Sequence, residues 1–319
     1  MRKKRNITSV FCLGISLLIL LSCGGKNETS HAALSANQQE NTRPNKDREG
    51  YAITLPEKIN RIVSIGPSNT EILAGLGFAN LITAADIYSA DIAGLSPNTL
   101  TELDMMALDA EYIVSLMPDI IFITGMARGG TGDNPLAPVS AAGISVIYMP
   151  TSGSIAAIME DIRFIAAVMN AGDTGETLIS NMQTEINKIK EISKTITETR
   201  TVYFEISPAP WMYSFGTGTF LNEMIELTGA ENIFKNQTGW LSVSDESLLA
   251  SNPDVILTST DFLEDPAGEI MGRPGFDAIT AVLNGNVRRI DANSSSRPSQ
   301  NITKALREIA KAVYPEYYR

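Results

Sequence analysis

From residue 51 onward, short β-branched apolar runs alternate with stretches whose apolar residues recur every three or four positions. That is the pattern of strand–helix units. The runs predict strands at 61–65, 81–85, 119–124 and 145–149, then at 201–206, 254–258 and 286–290. The wider spacing predicts helices at 69–76, 108–116, 136–142 and 155–169, then at 219–227, 245–250, 276–283 and 301–313. Between the two sets Leu178, Met182, Ile186, Ile189, Ile192 and Ile196 form one apolar stripe, opposed by Asn181, Glu185, Lys188, Lys190 and Lys194. Asp173 and Thr174 offer N-cap oxygens there. A helix over 175–197 would be about 35 Å long, a stiff connector between two halves.

The halves echo each other. Residues 113–122 (IVSLMPDIIF) resemble 248–257 (LLASNPDVIL) at a shift of 135, and 77–82 (GFANLI) resemble 229–234 (GAENIF) at a shift of 152. In the first pair a helix ends before a Pro-Asp turn that opens a strand, because proline disfavours helix in the residue before it. Two echoes in the same order predict a duplicated α/β architecture.

The N-terminus is an address. Arg2 to Arg5 are basic, and Val10 to Leu21 form an apolar stretch of 12 residues, short for a bilayer span and right for a signal peptide. Leu20-Leu21-Ser22-Cys23-Gly24 resembles the bacterial lipoprotein cleavage box, which implies diacylglycerol on Cys23 and a stable two-chain anchor. Residues 24–50 are polar without apolar period and read as a disordered tether.

Composition then excludes much. The only histidine is His31, in the tether, and the only cysteines are Cys12 and Cys23. The folded body therefore has no ligands for a His- or Cys-bound zinc or an iron–sulfur cluster, and no thiol nucleophile or Ser-His-Asp triad. The net charge is −11, and loss of the basic signal peptide leaves −15, so a nucleic-acid partner is not expected. The run Gly129-Gly130-Thr131-Gly132 lacks the Lys-Ser/Thr ending of a phosphate loop and reads as a flexible loop.

Residues 61–73 (RIVSIGPSNTEIL) resemble the opening strand and helix of the cobalamin-, haem- and ferric-siderophore-binding proteins of ABC importers. Further matches are 116–121 (LMPDII), 216–221 (GTGTFL), 229–234, Ser244-Asp245-Glu246 ahead of Leu248-Leu249, and Arg297-Pro298 before the final helix. The ordered series covers nearly all of 51–319. It implies two similar α/β lobes joined by one long α-helix, with the ligand in the cleft between them. The chain then divides into a signal peptide (1–22), lipidated cysteine and tether (23–50), N-terminal lobe (51–172), linking helix (173–198) and C-terminal lobe (199–319).

By the same resemblance the protein is a monomeric, non-enzymatic carrier, lipid-anchored in the cell envelope outside the cytoplasmic membrane. It delivers a metal chelate to a permease and its ATPase subunits. One surface glutamate on each lobe pairs with permease arginines, and Glu71 and Glu246 take those roles. Cleft loops follow the strands. They are 67–69, Tyr88, 126–128 and 151–152 in one half, and 211–213, Trp240, 261–262 and 294–297 in the other. The ligand-binding candidates are Tyr88, Arg128, Trp211, Tyr213, Trp240 and Arg297: aromatics suit a flat apolar face, arginines suit carboxylates. Trp240 also matches an aromatic position before the docking helix of cobalamin binders. Ferric siderophore, haem and cobalamin all stay open, since Tyr ligation of haem does not need histidine. Two other classes stand beside this reading: an envelope hydrolase using paired carboxylates such as Asp261 and Glu264, and a surface adhesin with an empty cleft.

Overall fold

The computed structural model describes residues 43–128 and 134–318. The signal peptide, Cys23, His31, the tether up to residue 42 and the glycine run lie outside the described residues.

The first half builds a five-stranded parallel sheet from β1 (Ile62–Ile65), β2 (Ile82–Asp86), β3 (Leu100–Leu103), β4 (Ile120–Thr124) and β5 (Ser145–Met149), in the order β3-β2-β1-β4-β5. Helices α1 (Pro67–Gly75), α2 (Ala110–Ser115), α3 (Ala137–Ala141) and α4 (Ile155–Val168) connect these strands or follow them. α5 (Gly172–Ser193) then leads to the second half. There β6 (Thr201–Glu205), β8 (Glu231–Asn232), β10 (Val255–Thr258) and β11 (Val287–Arg289) form a parallel sheet in the order β11-β10-β6-β8. β7 (Tyr213–Phe215) and β9 (Trp240–Ser242) pair as a separate antiparallel ribbon. The accompanying helices are α6 (Phe220–Leu227), α7 (Asp245–Ser251), α8 (Pro266–Met271), α9 (Thr280–Leu283), α10 (Ala292–Ser296) and α11 (Ile302–Val313).

Strand alternation decides which face goes where. Ile62, Ile120 and Phe122 of the first sheet and Val202, Phe204, Val255 and Leu257 of the second all enter one continuous core cluster. Val63, Ile65, Ile121 and Ile123 point to a separate cluster under α2 and α3. Tyr203 and Ile256 point to a third. The shared core also takes Ile179, Met182, Ile186 and Ile189 of α5, so this helix is a packed element against α4, α6 and α11. Gly175 permits the contact with α4, because a Cβ there would strike Ala166. Asp173 and Thr174 do not cap it. Ala171 holds the cap position without a side-chain bond, and Asp173 lies inside the first turn.

The duplication is visible in atomic detail. Met117 and Asn252 both adopt left-handed backbone (φ 49° and 43°) before their Pro-Asp turns. Asp119 Oδ2 accepts from the N–H groups of Asn60 and Arg61 (2.7 and 2.9 Å). Asp254 Oδ2 accepts from the N–H and hydroxyl of Thr201 (2.8 and 2.7 Å). In each half the aspartate locks the start of one strand to its parallel neighbour.

One expectation is corrected at the N-terminal edge: residues 43–50 are not tether. Arg43 donates to the carbonyls of Val168 and Pro56 (2.9 and 2.6 Å), and Arg48 Nε donates to Asp161 Oδ1 (2.8 Å). Long-range partners for two arginines pin a segment that has no apolar pattern of its own.

Candidate functional site

In a parallel sheet, a crevice opens at the carboxyl ends of the strands where the strand order reverses. In the first sheet that place lies between β1 and β4, and a pocket of about 180 Å³ sits there. It is lined by the loops after β1 (Gly66 to Asn69), β4 (Thr124, Met126) and β5 (Met149 to Thr151), and by Ser296 and Pro298 from the second half. Gly66 makes the turn possible. Its φ of 113° suits glycine, its N–H donates to Asp86 Oδ2 (2.8 Å), and a Cβ would press on Asn69 and Thr124. None of the fourteen lining residues is Lys, Arg or His.

Asp161 is the one carboxylate in the lining, a residue sequence reasoning missed because on α4 it stands beside Glu160 and Arg163, which read as surface charges of a core-facing helix. Burial pushes its carboxyl up, against the pull of Ser152 Oγ and Arg48, which both donate to it.

The second sheet reverses at β6, and the chain leaving its carboxyl end turns into the ribbon. Tyr213 and Trp240 lie on its two strands and Trp211 in the bend just before β7; all three are exposed, at 46, 56 and 76 %, and none of them lines the pocket. β7 and β9 place Phe215 opposite Trp240, and the two rings meet edge to face with centroids 6.3 Å apart. Tyr88 is also exposed, on a 3-10 turn after β2 capped by Asp86. Asp261 and Glu264 are exposed as well, and no hydrogen bond joins them among the described residues.

The two arginines expected to meet ligand are occupied by the protein itself. Arg297 is buried. It donates to Glu71 Oε1 (3.2 Å), the Tyr88 carbonyl (2.8 Å) and Asp91 Oδ1 (2.9 Å). Arg128 donates to Glu49 Oε2 (2.5 Å) and lies between the rings of Tyr51 and Tyr148, 3.5 and 4.0 Å from their centroids. Arg297 uses three of its five donors within the protein, and Arg128 uses one while its ring-stacked guanidinium stays partly exposed.

Glu71 is corrected in the same way. It is 6 % exposed, not a surface carboxylate. Besides Arg297, it accepts from Ser299 Oγ and Asn301 Nδ2 (2.9 Å), while its carbonyl accepts from Gln300 Nε2 (2.8 Å). A predicted docking residue and a predicted ligand residue are thus partners in one clamp between the halves.

Glu246 does lie exposed, at the second position of α7, whose N-cap is Ser244. Its carboxyl is lowered by its own backbone N–H and by Ser244. The 135-residue echo identifies its counterpart. Position 111 is Glu111, exposed, at the second position of α2, whose N-cap is Asp109. Sequence reasoning missed Glu111, although the shift that aligned the Pro-Asp turns points to it directly.

Comparison with known proteins agrees with this architecture. A family described as periplasmic binding protein matches residues 62–294. The uncharacterized ABC transporter substrate-binding lipoprotein YvrC of Bacillus subtilis is 28 % identical over 326 residues, covering 100 % of both chains. The cobalamin-binding protein of Halobacterium salinarum is 22 % identical over 276 residues, covering 84 % of this chain and 73 % of its own. Among solved structures, a possible iron-binding (periplasmic solute-binding) protein from Staphylococcus epidermidis superposes with a TM-score of 0.71 at 28 % identity, covering 81 % of this chain and 100 % of that one.

Proposed function

This chain belongs to the periplasmic binding protein family, and we propose that, as the substrate-binding component of an ABC importer, it takes a corrinoid of the cobalamin kind. The observation that carries this choice is the absence of any basic residue from the lining of the pocket at the crevice of the first sheet. Haem propionates and carboxylate-bearing ferric siderophores need cationic partners. A corrin ring fringed with neutral amides does not. Its flat, apolar faces suit Trp211, Tyr213 and Trp240, and its edge suits the small polar floor formed by Ser68, Asn69 and Thr151. The cobalamin-binding relative supports the same assignment.

The permease is met through Glu111 and Glu246. Each is an exposed carboxylate at the corresponding helix start of its half, able to accept a bidentate arginine. The anchor is diacylglycerol on Cys23, and the body works outside the cytoplasmic membrane. Substitution Cys23→Ser should move the protein from the membrane fraction to the soluble one.

The ligand is tested by titrating the full chain with cyanocobalamin, haemin and a ferric hydroxamate, following tryptophan quenching. Saturable cyanocobalamin binding, weakened roughly 30-fold or more by Trp211→Ala or Trp240→Ala, is expected for aromatic anchors. Tighter binding of haemin or the ferric chelate would refute the corrinoid reading.

A further inference from the structure

Beside the aromatic ribbon, apart from the pocket, lies a charged cluster with a buried centre and one partly exposed carboxylate, Glu269. Glu205, the last residue of β6, is fully buried, and Arg273, just beyond α8, nearly so. Arg273 Nη1 and Nη2 donate to the two oxygens of Glu205 (2.7 and 2.9 Å). Its Nε and Nη2 donate to the two oxygens of Glu269 on α8 (2.9 and 2.5 Å). The remaining Nη1 proton goes to Met212 Sδ at 3.1 Å. All five guanidinium donors are therefore used, so the group has one orientation.

That fifth contact lands on the residue between two candidate ligand anchors. Met212 is 5 % exposed while its neighbours Trp211 and Tyr213 point outward. Neighbouring side chains in extended backbone project to opposite sides. Drawing Met212 inward turns Tyr213 out by this alternation, and Trp211, in the bend just before it, stays exposed. The loop is held at its base as well: Ile206 N–H donates to the Tyr213 carbonyl (2.9 Å), and Val243 N–H to the Met212 carbonyl (2.9 Å). A buried carboxylate held on a buried guanidinium is a costly way to gain stability alone, since apolar packing of equal volume is often as good or better. Lysine, with three donors on a single nitrogen, has no planar fork to span Glu205, Glu269 and Met212 together.

We propose that Arg273, fixed by Glu205 and Glu269, is a positioning residue that sets the aromatic ribbon for ligand through Met212 without touching ligand itself. This rests on the reading of Trp211 and Tyr213 as ligand anchors.

The test uses the full chain in a Trp240→Phe background, so that Trp211 is the sole reporter. Two variants are compared with it: Arg273→Lys, which keeps the charge, and Met212→Leu, which keeps the volume and removes only the sulfur contact. Time-resolved anisotropy of the ligand-free protein should show faster local motion of Trp211 in both. Cyanocobalamin affinity should fall about fivefold to tenfold for Met212→Leu, and the melting temperature should fall as well, because one buried Arg273 N–H loses its partner. Unchanged Trp211 anisotropy in both variants would overturn the proposal whatever the ligand. If the parent binds neither cyanocobalamin nor haemin, the ligand reading falls, and the anisotropy still decides whether Arg273 orders the ribbon.

Discussion

Replacing Arg297 with alanine removes the centre of the clamp between the halves. Its side chain and that of Glu71 are 10 and 6 % exposed, so the variant leaves a carboxylate buried without its cation. Breaking a buried pair from one side costs about 3–5 kcal/mol. Ser299 and Asn301 still donate to Glu71 and offset about 1 kcal/mol. Asp91, half exposed, adds less than about 1 kcal/mol. The expected loss is about 2–4 kcal/mol, a fall in melting temperature of roughly 4–16 °C at about 2–4 °C per kcal/mol. Urea and thermal melts of Arg297→Ala, Glu71→Ala and the double variant measure it. The double variant should be more stable than the sum of the singles implies, because it strands no charge. A loss below about 1 kcal/mol, or strict additivity, would refute the clamp. A normal melt with lost ligand affinity would return Arg297 to the ligand site.

Three further outcomes are expected. Glu111→Ala with Glu246→Ala should abolish uptake while ligand affinity and melting temperature stay at wild-type values; normal uptake in cells would remove the docking role. Gly216→Ala should destabilise strongly, by more than about 2 kcal/mol, because the new Cβ would collide with the Gln237 carbonyl; a melting curve matching wild type would contradict that packing. Burial alone would raise the Asp291 carboxyl, but Lys304 (2.6 Å) and the Ser294 N–H (2.8 Å) hold it down at about 2. A carboxyl depressed on folding stabilises fully above about pH 4 and loses that contribution as pH falls toward 2. The exposed lysine limits this to less than about 1 kcal/mol. The stability difference between wild type and Lys304→Met should therefore shrink in that window, and a flat difference would count against it.

The main strands were legible because their apolar runs are buried on both faces; β5 begins and ends where the pattern places it. β3, with one buried residue, and the two-residue β8 were not, since an edge strand needs only backbone partners from its neighbour. Predicted helix 276–283 proved to be a 3-10 turn and α9, separated by extended Ile279. Helices α8 and α10 start at Asp265 and Asp291, caps readable in principle but too short to show a period.

Local pattern alone therefore decided the strand–helix alternation, the duplication, the regular helix between the halves and the body without histidine or cysteine, because each depends on neighbours in sequence or on composition. The fate of each charged side chain was decided only by tertiary structure. Glu71 meets Arg297 across 226 residues, Arg128 meets Glu49 across 79, and Arg273 meets Glu205 across 68. Whether a charge faces ligand, solvent or another charge depends on which groups folding brings within about 3 Å, and spacing along the chain does not encode that.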